Sequence, residues 1–100
     1  MAAPTQSEGY VKYIVLKRTW HSFIQEVPII FPGDLNHNEV FDSIKDLAGM
    51  EDAMLVSAGF LTILDAPYCF GNSDTLHTVS RGPVDADMIK NFINNHGIVD

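Results

Sequence analysis

The order of elements along this chain predicts a small α+β domain, with two helices laid against an antiparallel sheet of four to five strands in the order ββαββ(β)α. Three observations carry the prediction. Residues 10–31 read as strands, and residues 53–80 read as strands again. Each strand-rich half ends in an amphipathic stretch with helix-start chemistry, over 36–48 and 83–96. Residues that favour turns separate the segments. One hundred residues with 46% hydrophobic content suffice for one core. The expected organisation is a mobile polar tail over 1–9 and a single α+β domain over 10–100.

Tyr10 to Arg18 reads YVKYIVLKR. Val11, Tyr13 and Val15 point to one side, and Tyr10, Ile14 and Leu16 to the other. A strand that is apolar on both faces expects cover on both. Thr19 to Phe31 supplies a second strand with Phe23, Val27, Ile29 and Phe31 on one face. Pro28 within it has no amide hydrogen to donate, so this strand belongs at an edge or at a bulge. Phe31-Pro32-Gly33-Asp34 then turns the chain.

Asn36 followed by Glu39 has capping-box spacing, and Leu35 with Val40 has the spacing of a hydrophobic staple. Val40, Phe41, Ile44, Leu47 and Ala48 form the apolar stripe of this helix, and Gly49 is placed to end it. Ala53–Leu64 is a third strand, in which Gly59 signals a bulge or a close approach of backbone. Asp65-Ala66-Pro67 and Gly71-Asn72-Ser73-Asp74 read as turns around a short strand at Tyr68–Phe70, and Thr75–Ser80 reads as a final strand. The second helix starts near Pro83. Asp85 and Asp87 suit its positive end, Val84, Met88, Ile89, Phe92 and Ile93 its buried stripe, and His96 and Gly97 its end, where Ile98 folds back.

Composition excludes several function classes. A net charge of −7, with six scattered basic residues, argues against a direct nucleic-acid partner. The longest mostly apolar stretch, Met54 to Leu64, is shorter than the roughly 20 residues of a membrane span, and the N-terminus has no secretory signal. A soluble, cytoplasmic protein with no membrane partner is therefore expected. Cys69 is the sole cysteine, so an intramolecular disulfide and a cysteine-rich zinc site are both ruled out. His21, His37, His77 and His96 include no pair at usual ligand spacing. No metal and no cofactor are expected.

The candidate sites are few. Cys69, Asp74 and His77 lie close along the chain and would form a nucleophile, base and orienting acid if the fold brought them together. The ordinary reading is a buried thiol and an exposed strand histidine. Asp85 and Asp87 are explained as helix-start residues. Trp20 falls near the tip of the first hairpin, either as an interface anchor or lying over the sheet edge. Glu39, Asp42 and Asp46 put regularly spaced negative charge on the outer face of the first helix.

Ser57-Ala58-Gly59-Phe60 and Ser80-Arg81-Gly82-Pro83-Val84-Asp85-Ala86-Asp87 resemble patterns in short, uncharacterised proteins of phages and prophages. What the resemblance implies is a setting, an intracellular accessory protein, with no catalytic residue to carry over. The expected function is a small non-enzymatic protein-interaction module that binds a host factor or itself, through an edge strand or an exposed apolar face. Two alternatives stand beside it. One is an acidic nucleic-acid mimic that blocks a DNA-binding or defence protein through Glu39, Asp42 and Asp46. The other is a small enzyme or ligand binder built on Cys69, His77 and Asp74.

Overall fold

The computed structural model describes residues 11–20, 22–63 and 66–96. The expected tail, Tyr10, His21, the Leu64-Asp65 step and Gly97-Ile98 lie outside them, as do the side chains of Trp20, Asn95 and His96. The elements are β1 (Val11–Trp20), β2 (Phe23–Phe31), α1 (His37–Lys45), β3 (Met54–Ile63), β4 (Pro67–Phe70), β5 (Asn72–Ser73), β6 (Thr78–Val79) and α2 (Pro83–His96). Four strands form one antiparallel sheet in the order β2-β1-β3-β4, and β5 and β6 form a separate two-stranded ribbon. This is the predicted α+β architecture, with β2 at an edge, where Pro28 required it.

Both faces of β1 are covered. Tyr13, Ile14, Val15 and Leu16 are all fully buried. Ile14 and Leu16 join Phe31, Met50, Ala53 and Ala58 in a core under α1, with Val40, Phe41, Ile44 and Leu76 packed on it. Tyr13 and Val15 join Leu61, Cys69 and Ile89 in a second core under α2, with Ala86, Met88 and Ile93 packed on it. The helices therefore sit on opposite faces of the sheet.

Two local expectations are corrected and a third is narrowed. First, α1 ends at Lys45 with Asp46 as its cap, not at residue 48. The amides of Asp46 and Leu47 bond back three residues, to Ser43 and Ile44, and similar turns continue through Met50 to Ala53. That tightening leaves Leu47 exposed and gives Met50 the core position. Gly49, at φ +86°, serves a turn beyond the helix. Second, Asn72–Ser73 is a strand rather than part of a turn. The turn is Asp74–His77, which shortens the last strand to Thr78–Val79. His77 takes φ +53° to close it. Third, the β-bulge falls at Val56. Val15 pairs with Ser57 while Leu16 pairs with Leu55. Of the two readings of Gly59, close approach of backbone is the one that holds, since a Cβ there would lie 2.5 Å from the Phe70 carbonyl oxygen and 3.0 Å from Ser80 Cβ.

The Glu39 half of the capping box forms, its carboxylate accepting from the Asn36 amide at 3.3 Å. No helix among the described residues is long and apolar enough to cross a membrane.

Candidate functional site

The second core contains a buried polar cluster. Tyr13 points from β1 toward α2, and its phenol donates to Asp85 Oδ2 at 2.5 Å. Ser80 Oγ lies 2.7 Å from the same phenol oxygen and accepts from the Gly82 amide at 2.9 Å. The phenol has one proton and the carboxylate takes it, so the serine hydroxyl supplies the proton between Ser80 and Tyr13. Asp85 also accepts from the Arg81 amide at 2.9 Å and from Arg81 Nε at 2.7 Å. Arg81 reaches across to Glu26 on β2 at 3.1 Å. Asp85 is a helix-start residue, as its position suggests, but the structure buries it completely.

Burial alone would raise the Asp85 pKa. The donors from Tyr13, the Arg81 amide, Ser57 and the Arg81 guanidinium outweigh it and hold the carboxyl below its ordinary 3.8. Burial, reinforced by Asp85, drives the Tyr13 phenol far above its usual value. Ser57 lies near enough to aid the carboxylate, yet its fully buried hydroxyl completes no hydrogen bond of good geometry. Every other polar atom named in this cluster answers another, which is the signature of a structural tie between helix and sheet.

The segments Ser57–Phe60 and Ser80–Asp87 meet at this point. Gly59 lies against Ser80, and Ser57 lies beside Asp85. Both segments therefore build the seat of α2.

Cys69, Asp74 and His77 are not brought into one site. Cys69 is buried among Tyr13, Val15, Leu61 and Ile89, and desolvation pushes its thiol pKa up to about 11. His77 is exposed in the turn before β6, and Asp74 accepts from Asn72 Nδ2 at 2.8 Å. Among the described residues no hydrogen bond joins these three, and no group of three His, Cys, Asp or Glu side chains could hold a metal ion.

His37 is buried, a position its place in the first turn of α1 did not announce. Phe31, Lys12, Phe60 and Phe70 share one cross-strand row on the α1 face. His37 enters that row between Phe31 and Phe60, meeting both rings edge-on with centroids 5.4 and 5.9 Å away. Its Nε2 donates to the Gly59 carbonyl at 3.0 Å, which fixes the tautomer, and burial lowers its pKa. A polar pocket of about 230 Å³ opens beside it. The two charged groups there are already engaged, Lys12 with the Leu35 carbonyl at 2.8 Å and Asp74 with Asn72.

Glu39, Asp42 and Asp46 are exposed on α1. Glu39 is tied to the helix start and Asp46 forms the helix cap, so two of the three also serve the helix ends.

An uncovered apolar feature lies at the first hairpin. β1 pairs with β2 as far as Trp20 and Phe23, but its pairing with β3 stops at Lys17 and Met54. The hairpin end thus projects beyond the four-stranded sheet. Phe23 is 57% exposed and Ile24 64%, and Met54 is exposed where β3 begins. Ile24 and Ile30 lie on the α2 face, where α2 leaves a groove of about 420 Å³ along β2, lined by Met88, Phe92, Glu26 and Pro28. Trp20 has its backbone in this projecting end. No family model, no curated protein and no solved structure matches the chain.

Proposed function

We propose that this protein is a non-enzymatic protein-interaction module that engages its partner through the β1–β2 hairpin and the outer edge of β2. In the setting that the phage resemblance implies, the partner is a host factor or a second copy of the chain. The single observation supporting this reading is the projecting hairpin end, which exposes Phe23 and Ile24 on a strand that has no strand neighbour on its outer side among the described residues. An edge strand presents a row of backbone donors and acceptors to any chain that can add a strand. Natural edges are usually guarded by lysine, by proline or by brevity. β2 has nine residues, no lysine and one proline.

The test is affinity capture from the native host with the wild-type chain and with Ile24→Lys, each shown to be folded by circular dichroism. Loss of a specific captured partner in the variant supports the reading. Equal capture by both chains rejects the hairpin as the contact.

A further inference from the structure

We infer that the occupant of the β2 edge is a second copy of this chain, paired antiparallel to the first about a two-fold axis at Val27. This rests on the interaction reading above and names the partner for that surface. β2 reads Phe23-Ile-Gln-Glu-Val-Pro-Ile-Ile-Phe31. Read backwards it is Phe-Ile-Ile-Pro-Val-Glu-Gln-Ile-Phe, nearly the same string. Antiparallel pairing centred on Val27 therefore sets Phe23 against the partner's Phe31, Ile24 against the partner's Ile30, and Val27 against the partner's Val27. Like meets like at three kinds of position, and apolar cross-strand pairs are the favourable ones.

Charge and hydrogen bonding fit the same register. Glu26 is the only charged side chain on β2, and Arg81 of its own copy already holds it at 3.1 Å. It would face the partner's Pro28, so no two carboxylates stand directly opposite. Pro28 is buried and lacks an amide hydrogen, which removes at most one ladder bond per copy.

Geometry also fits. A two-fold axis that continues the sheet keeps both α2 helices on one side of it. The groove between β2 and α2 then meets its twin across the axis, and Ile24, Ile30 and Phe92, exposed in the single chain, become covered. Nine paired residues give a contact line about 30 Å long.

The test uses the whole chain. Sedimentation equilibrium up to high micromolar concentration should give twice the 11.1 kDa chain mass. Ile24→Lys, with an unchanged circular dichroism spectrum, should weaken the dimer roughly 100-fold, because the substitution enters the contact twice. Val27→Cys should cross-link to itself under oxidation, because the axis places equivalent residues at disulfide distance, whereas Gln25→Cys should not. A monomer at every concentration overturns the inference. So does a dimer that Ile24→Lys leaves intact, or one that cross-links through Gln25→Cys in preference to Val27→Cys. A monomeric chain whose captured host partner is lost in Ile24→Lys sinks the self-pairing alone and leaves the interaction reading standing.

Discussion

The phenol of Tyr13 and the carboxylate of Asp85 stand 2.5 Å apart, a buried contact that joins the central strand to the last helix across 72 residues of chain. Removing the hydroxyl with Tyr13→Phe leaves a buried carboxylate short of a donor and deprives Ser80 of its acceptor. The expected loss is about 1–3 kcal/mol of unfolding free energy at neutral pH, read from urea melts.

The same pair sets an acid dependence. A carboxylate whose folded pKa lies below its unfolded value of 3.8 contributes stability above that value, and loses it as pH falls through the lower folded one. Without the Tyr13 donor the folded value of Asp85 moves up toward 3.8. The gap between wild type and Tyr13→Phe should therefore narrow as pH drops below about 4. A gap that stays constant to pH 2 would mean that Asp85 is not the group involved.

Gly59→Ala should be disruptive although alanine is the smallest side chain available. Its Cβ would fall 2.5 Å from the Phe70 carbonyl oxygen, and that backbone atom cannot step aside without moving β4. Overpacking of this kind costs about 1–3 kcal/mol, measurable as a lowered melting temperature. Gly33, where a Cβ meets nothing within 4 Å, provides the control, and Gly33→Ala should change stability little.

His37 makes a separate prediction at milder pH. Burial lowers its pKa below the ordinary 6.5, so the folded state favours the neutral ring. The stability this contributes is complete above 6.5 and declines as pH falls through the folded value. His37→Gln keeps a donor for the Gly59 carbonyl and removes the titration. The variant should lose about 1 kcal/mol at pH 7.5 and converge on wild type as the buffer is acidified below 6.5. Chemical denaturation at several pH values would show whether the curves approach one another.

The thiol of Cys69 should be inert in the native state. With its pKa pushed up to about 11 and its sulfur buried beside Tyr13, almost no thiolate exists at pH 8. A disulfide reagent should label it only on unfolding. Fast labelling of the folded protein would return Cys69 to consideration as a reactive group.

Most of the fold was legible because its signals are local. Apolar residues on both faces over Tyr13–Leu16 announced a strand covered on both sides, Pro28 pointed to an edge or a bulge, and Asn36 with Glu39 announced the start of α1. What escaped depends on contacts between distant residues. Asp85 looks like any acidic residue at a helix start, and nothing near it in the chain reveals that Tyr13 will bury it. His37 looks like a surface residue of a first helical turn until Phe31 and Phe60 arrive on either side. Leu47 continues the helical stripe in sequence, but the helix tightens before it and Met50 takes the core position. At the candidate interaction surface, the edge character of β2 was readable from Pro28. The hairpin overhang was not, because it depends on where β3 stops.

The opposite placement of the two helices has a consequence for synthesis. Among the described elements, β1 is made before those that shelter it on both faces. α1 emerges early and can shield Ile14 and Leu16, but Tyr13, Val15 and Leu61 stay bare until residues 83–96 appear. During translation this face of the sheet therefore stays oily and half-finished until Pro83–His96 has been made, and chaperone demand should fall sharply when α2 docks.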